Sequence, residues 1–251
     1  MARLTGDTAE ADWAQTTADR ARTAFHQKYW NGSYYVSPSH QGLPDDRPQA
    51  LAVVSGTLPD TLYPALRPFF GQQYHASPYM EKYVLQALCL MGYHQDALNR
   101  MKLRYRAMTD SPLTTLWEGW GIGSEGFGGG TYNHAWSGGP LTVMSQYIAG
   151  IEPTAPAFRR FRVSPHPAHL NQIRAVVPLS GKREIRLSLD KDSRRCDIVL
   201  EVPQGTEACF CLPDGYTGMS VNGTVCQSAE KVLTPGVWNI RLMQAGDYAS
   251  K

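Results

Sequence analysis

Glu118 stands between Trp117 and Trp120 in a stretch that no ordinary core element requires. The stretch, Leu113 to Pro140, holds three of the chain's six tryptophans (Trp117, Trp120, Trp136), nine of its 23 glycines, the carboxylates Glu118 and Glu125, and His134. Glycine lets backbone approach a ligand closely, and flat aromatic faces suit sugar rings. A carboxylate flanked by indoles is placed to transfer a proton or to activate a water. The residue types therefore point to carbohydrate chemistry. The competing reading is a glycine-rich surface loop in which Trp117 and Trp136 only pack.

Few other residues compete for a chemical role. The remaining acids in the helical loops are Asp45, Asp46, Glu81 and Asp110. Asp45-Asp46-Arg47-Pro48 reads as a helix start, where capping accounts for at least one aspartate. Glu81 falls in a first helical turn and suits the helix dipole as well as it suits a site. Glu125 is a weak candidate for a second acid. His75, His94, His166 and His169 are isolated, and no HExxH, P-loop or GxSxG occurs. The five cysteines are odd in number and form no CxxC. Neither a disulfide framework nor a zinc site is expected, and the thiols read as free and buried; no metal or other cofactor is implied.

Composition narrows the class further. Lysine and arginine total 24 against 22 acids, a net charge of +2 without the concentrated basic face of a nucleic-acid binder. No run reaches the length of a membrane span, and the N-terminus has no apolar signal-peptide core. The compartment stays open between bacterial cytoplasm and periplasm. Asn31-Gly-Ser and Asn222-Gly-Thr match the glycosylation sequon but read more simply as turns.

The elements that must position Glu118 change character near residue 157, so domains are expected at 1–157 and 158–251. Ala14, Ala18, Ala21 and Phe25 recur at helical spacing over about Thr8 to Lys28. A second helix follows Asp45 and ends at Gly56. A third has Ser77 as its cap, Pro78 in its first turn, the stripe Met80, Tyr83, Val84, Ala87, Leu88 and Met91, and Gly92 as its stop. Two more cover about His94 to Met108 and Gly139 to Ala149. Beyond Phe158 the period becomes two: Arg183 to Leu189, Cys196 to Val202, Ala208 to Leu212 and Val237 to Met243 read as strands, with Asn222-Gly223 as a hairpin turn. An antiparallel β-sandwich is expected there. The five helices form either an irregular bundle or an arc of a larger toroid; the arc requires a further N-terminal portion.

Thr114-Thr115-Leu116-Trp117-Glu118-Gly119-Trp120 resembles the Thr-Thr-x-Trp-Glu-x-Trp segment of bacterial α-L-rhamnosidases of glycoside hydrolase family 78. Asn133-His134 with Trp136-Ser-Gly-Gly-Pro, then Tyr147-Ile-Ala-Gly-Ile-Glu-Pro, resembles that family's last barrel helix. Phe158-Arg-Arg-Phe-Arg-Val-Ser-Pro is similar to its entry into the C-terminal sandwich, and Asp45-Asp46-Arg47-Pro48-Gln49-Ala50 to an upstream barrel helix. The resemblance implies a multidomain chain of α and β type, with a partial (α/α)6 helical toroid followed by an antiparallel β-sandwich. It implies an inverting mechanism on rhamnose-containing oligosaccharides or glycosides, with Glu118 as general base. His134 then contacts sugar hydroxyls; Trp117, Trp120, Trp136, Asp46 and Arg47 are the other expected substrate contacts. The family's acid-rich segment, which ends in Gly-Trp-x-Gly-Asp and carries the general acid, does not occur in this sequence, so a missing N-terminal part is expected to supply it. The alternatives are a non-catalytic carbohydrate-binding or scaffold fragment, or another (α/α)6 barrel glycosidase.

Overall fold

The computed structural model describes residues 2–121, 130–193 and 195–244. The chain divides into two units, Met1–Gly139 and Pro140–Lys251, so the change of character near residue 157 falls inside the second. No helix among the described residues is long and apolar enough to cross a membrane.

The first unit contains α1 (Ala2–Thr5), α2 (Thr8–Tyr29), α3 (Asp46–Val54), α4 (Tyr63–Leu66), α5 (Pro78–Leu90) and α6 (His94–Thr109). Local chemistry sets the ends. The Asp45 carboxylate accepts from Arg47 N at 2.9 Å and caps α3, and Ser77 Oγ accepts from Met80 N at 3.3 Å and caps α5. Gly92, with φ at +83°, takes the left-handed turn that separates α5 from α6. α5 packs on α3 and α6, and Ala50, Val53, Leu66, Phe70, Val84, Leu85, Leu88 and Leu98 fill the space between them. α2 realises the helix expected over about Thr8 to Lys28. None of its described residues is buried; Trp13 is 63% and Phe25 41% exposed. The partial toroid expected from the sequence is not shown by these elements.

At the boundary, α7 (Gly139–Val143) continues into a π-helical turn at Met144–Ile148. The second unit then forms β1 (Ile151–Pro153), β2 (Arg160–Val163), β3 (Gln172–Leu179), β4 (Arg183–Lys191), β5 (Cys196–Val202), β6 (Glu207–Cys211), β7 (Gly218–Val221), β8 (Thr224–Val225), β9 (Glu230–Leu233) and β10 (Gly236–Met243). The strands make two sheets, in the orders β1-β2-β6-β9 and β3-β4-β5-β10-β7-β8. The period-two alternation is realised as expected, with Ile185, Leu187 and Leu189 of β4 and Ile198 and Leu200 of β5 all buried. Ile151, Phe161, Val163, Ala208, Phe210, Cys211 and Leu233 are the buried residues of the smaller sheet, as in a β-sandwich. One pairing departs from the antiparallel expectation: β2 runs parallel to β6, with Arg162 beside Cys209. Asn222 (φ +48°) and Gly223 (φ +80°) form the hairpin turn between β7 and β8.

Gly150 joins the π turn to β1 at a point where only glycine fits. Its φ is +71°, its carbonyl accepts from Ser164 N at 2.9 Å, and a Cβ there would lie 2.0 Å from the Ser164 carbonyl oxygen. Gly150→Ala is therefore expected to destabilise the second unit by at least about 1–3 kcal/mol from the backbone conformation alone. Urea unfolding followed by intrinsic fluorescence measures it; an unchanged midpoint would show that the Gly150–Ser164 contact yields freely.

Candidate active site

The Glu118 segment is held as one arm of a short pairing. Glu118 N donates to Thr131 O at 3.0 Å, His134 N donates to Leu116 O at 2.9 Å, and Thr115 Oγ1 donates to Tyr132 O. This ladder sets the carboxylate opposite the second arm. Glu118 Oε2 accepts from Thr131 N at 2.9 Å and from Thr131 Oγ1 at 3.3 Å, and His134 Nδ1 lies 3.6 Å from the same oxygen. Thr131 Oγ1 is also 3.0 Å from His134 Nδ1. The threonine hydroxyl has one proton. If it donates to Glu118 it must accept from His134, which puts the imidazole proton on Nδ1 and leaves Nε2 as an acceptor. Glu118 Oε1 accepts no hydrogen bond among the described residues, and the side chain keeps 24% of its surface.

The expected aromatic partners divide into two kinds. Trp136 is 42% exposed; its ring lies 4.4 Å from His134 and 5.4 Å from Tyr79, and its Nε1 donates to Glu118 O at 3.3 Å. Trp136 and His134 thus share a surface with Glu118. Trp117 and Trp120 instead anchor the segment. Trp117 meets Tyr132 edge-on at 5.5 Å, its N donates to Met108 Sδ at 3.4 Å, and its carbonyl accepts from Ser137 Oγ. Trp120 Nε1 donates to Ala76 O at 2.7 Å, and its ring is covered by the Arg104 guanidinium at 4.2 Å and by Tyr105 at 5.0 Å. Glu125 lies outside the described residues.

Behind Trp120 sits a buried ion network. Asp46 and Glu81 have no exposed surface and Arg100 has 4%. Arg100 donates to Asp46 at 2.6 Å, to both Glu81 oxygens at 2.5 and 3.0 Å, and to the carbonyls of Phe70 and Gln73 at 2.6 and 2.8 Å. Arg104 stands 3.6 Å from Glu81 and donates to Ala76 O. Burial pushes the Glu81 carboxyl above its ordinary range, and Arg100 pulls it back. Burial also lowers Arg104. Asp46, expected beside the sugar, has no surface to offer one; its oxygens serve Arg100 and His75 N. Arg47 is bound to Asp45 at the start of α3 and is half-exposed. Thr131, Arg100 and Arg104 were not singled out from the sequence. The signal for the arginines was there: they lie four residues apart on one face of α6, a spacing that brings two cations to one patch.

Among the described residues one group of Cys, His, Asp or Glu donors is close enough to hold an ion, Cys209, Cys211 and Glu230 of the second unit.

Residues 150–226 match the family model described as bacterial alpha-L-rhamnosidase C-terminal domain. Solved structures give matching folds. An alpha-L-rhamnosidase from Dictyoglumus thermophilum aligns over 97% of this chain and 30% of its own, at 18% identity and a TM-score of 0.79. The Streptomyces avermitilis alpha-L-rhamnosidase, solved with L-rhamnose, aligns over 96% and 25%, at 20% identity and a TM-score of 0.75. A GH78 family rhamnosidase of Bacillus sp. GL1 aligns over 85% and 24%, at 22% identity and a TM-score of 0.72. The likeness at these identities is one of fold, and the chain spans 24–30% of the length of these three rhamnosidases. No curated protein matches the chain.

Proposed function

We propose that the chain is the C-terminal part of an inverting glycoside hydrolase acting on α-L-rhamnosides, with Glu118 as general base and the general acid supplied from outside residues 1–251. One observation carries the reading. Glu118 is gripped through Oε2 by the Thr131 N–H and hydroxyl, while Oε1 is left to accept a proton. In an inverting reaction the base takes a proton from water as that water attacks the anomeric carbon. A second carboxyl, about 6.5–9.5 Å away across the sugar, protonates the leaving oxygen. His134 Nε2 is the acceptor for a sugar hydroxyl, and Trp136 offers the apolar face on which a pyranose ring lies. Trp117 and Trp120 contribute by holding the segment; Arg47 is the outer polar contact, and Asp46 acts through Arg100. The L-rhamnose bound to the Streptomyces avermitilis enzyme supports the sugar class.

The same proposal makes 1–157 the last part of an (α/α)6 barrel and 158–251 its C-terminal sandwich. A 22-residue helix with no buried residue supports it, because α2 then has a partner surface in the rest of the toroid.

Two readouts on the chain itself test this. It is expected to quench on titration with L-rhamnose, followed by tryptophan fluorescence, and to show no turnover of an aryl α-L-rhamnoside. Trp136→Ala is expected to raise the dissociation constant roughly tenfold, the scale of one lost aromatic face. Robust turnover would place the acid within the chain, and unchanged binding by the Trp136 variant would remove the platform.

A further inference from the structure

Three donors converge on the four-stranded sheet, where Glu230 is exposed, Cys209 half-buried and Cys211 buried. Ala208 and Phe210 of β6 point into the core, so Cys209 and Cys211 share the opposite face. Register places Glu230 of β9 directly across from Cys211. The sulfurs are 3.9 Å apart; Cys209 Sγ lies 3.9 Å from Glu230 Oε2 and Cys211 Sγ 3.7 Å from Glu230 Oε1. Arg162 neighbours Cys209 across the parallel pairing.

These edges suit one coordination geometry. A tetrahedral ion with metal–sulfur bonds of about 2.3 Å holds two sulfurs about 3.8 Å apart, and with a metal–oxygen bond of about 2.0 Å holds sulfur and oxygen about 3.5 Å apart. The sulfurs already stand close to that separation, and each lies within a few tenths of an ångström of the sulfur–oxygen edge from a different Glu230 oxygen, so a turn of the carboxylate would present one oxygen to both. A disulfide fits less well. The two cysteines are i and i+2 on an extended strand, so their Cα atoms are roughly 6.6 Å apart, at the wide end of the disulfide range.

We infer that Cys209, Cys211 and Glu230 form a three-donor site for a thiophilic divalent cation of the zinc class, with water as the fourth ligand. Two S–H bonds break and two metal–sulfur bonds form, the two protons pass to solvent, and no electron is transferred. Two thiolates and a carboxylate against a dication leave one negative charge, and Arg162 is placed to offset it. Thiolate donors select this class over magnesium or calcium. The bound ion would tie the edge strand β9 to β6. Because Glu230 joins the cysteines only through sheet register, a search for CxxC spacing does not find the group.

The test is titration of the reduced, metal-free protein with Co²⁺. The expected result is a near-ultraviolet thiolate-to-cobalt charge-transfer band together with tetrahedral visible bands, saturating at one ion per chain and abolished by added Zn²⁺. Cys209→Ser and Cys211→Ser should each lose the charge-transfer band, Glu230→Gln should weaken binding, and Cys226→Ser should leave it intact. Zn²⁺ should also raise the Tm of the unaltered protein and not that of Cys209→Ser. A titration without a charge-transfer band, a band that survives in Cys209→Ser, or a band lost in Cys226→Ser would each overturn the site.

Discussion

With Glu118 as the proposed base, Glu118→Gln is expected to lower kcat for aryl α-L-rhamnoside hydrolysis by about 10²–10⁴-fold in the proposed longer enzyme, with KM little changed. Glutamine keeps the shape and can still accept from Thr131 N, so the pairing of the two arms should persist. What disappears is the oxygen that takes the proton from water, which is needed in the transition state and not for binding. That loss falls on kcat and on kcat/KM together. Thr131→Val should have a smaller effect of the same kind. It removes the hydroxyl shared by Glu118 and His134 but keeps the backbone N–H on the carboxylate. A Glu118→Gln enzyme with a large KM change and normal kcat would make Glu118 a binding residue. Normal values of both would leave the segment a scaffold.

The second large effect is on stability. Arg100→Met leaves Asp46 and Glu81 buried against Arg104 alone and strips the Phe70 and Gln73 carbonyls of a donor. Removing one partner of a buried ionic network costs about 3–5 kcal/mol, which in a unit of this size lowers Tm by roughly 10 °C. The cost should depend on pH. Burial already raises the Glu81 carboxyl, and losing Arg100 removes the main opposing pull. The folded variant then binds a proton more tightly than the unfolded chain. Stability therefore falls as pH rises from the ordinary carboxylate range through the folded value. The defect should be smaller near pH 5 than near pH 8. Adding Asp46→Asn and Glu81→Gln to Arg100→Met should recover part of the loss, because two stranded carboxylates are then neutral. Thermal melts across pH measure all of this, and a defect of equal size at both ends would mean that the cost is one of packing.

What could be read from the sequence follows how local the controlling chemistry is. The start of α5 at Ser77-Pro78 and its end at Gly92 depend on caps a few residues wide, and β5 depends on its own alternation. Both were read closely. β2 and β9 are four residues long, and β2 gains its place by a parallel pairing with β6 from more than 40 positions away. Nothing in either segment announces that partner. The site divides in the same way. Glu118 and His134 stand out by type and company, and the ladder does bring them together. The six aromatic and polar residues expected as sugar contacts do not gather on one surface. Trp120 is taken up by Ala76 and Arg104, and Asp46 by Arg100, which is 54 residues away. Buried ions find partners by tertiary packing, and an aspartate next to a cap looks the same in sequence whether it caps, binds or is sealed.

The most direct measurement of the central claim replaces Glu118 by glycine in the proposed longer enzyme and adds azide. Azide needs no base to attack the anomeric carbon. If Glu118 activates the water, the glycine variant should hydrolyse an activated aryl α-L-rhamnoside very slowly, and azide should restore turnover with β-L-rhamnosyl azide, the inverted product, visible by NMR. Undiminished hydrolysis by the glycine variant, or an azide adduct of retained α configuration, would contradict a general base at Glu118.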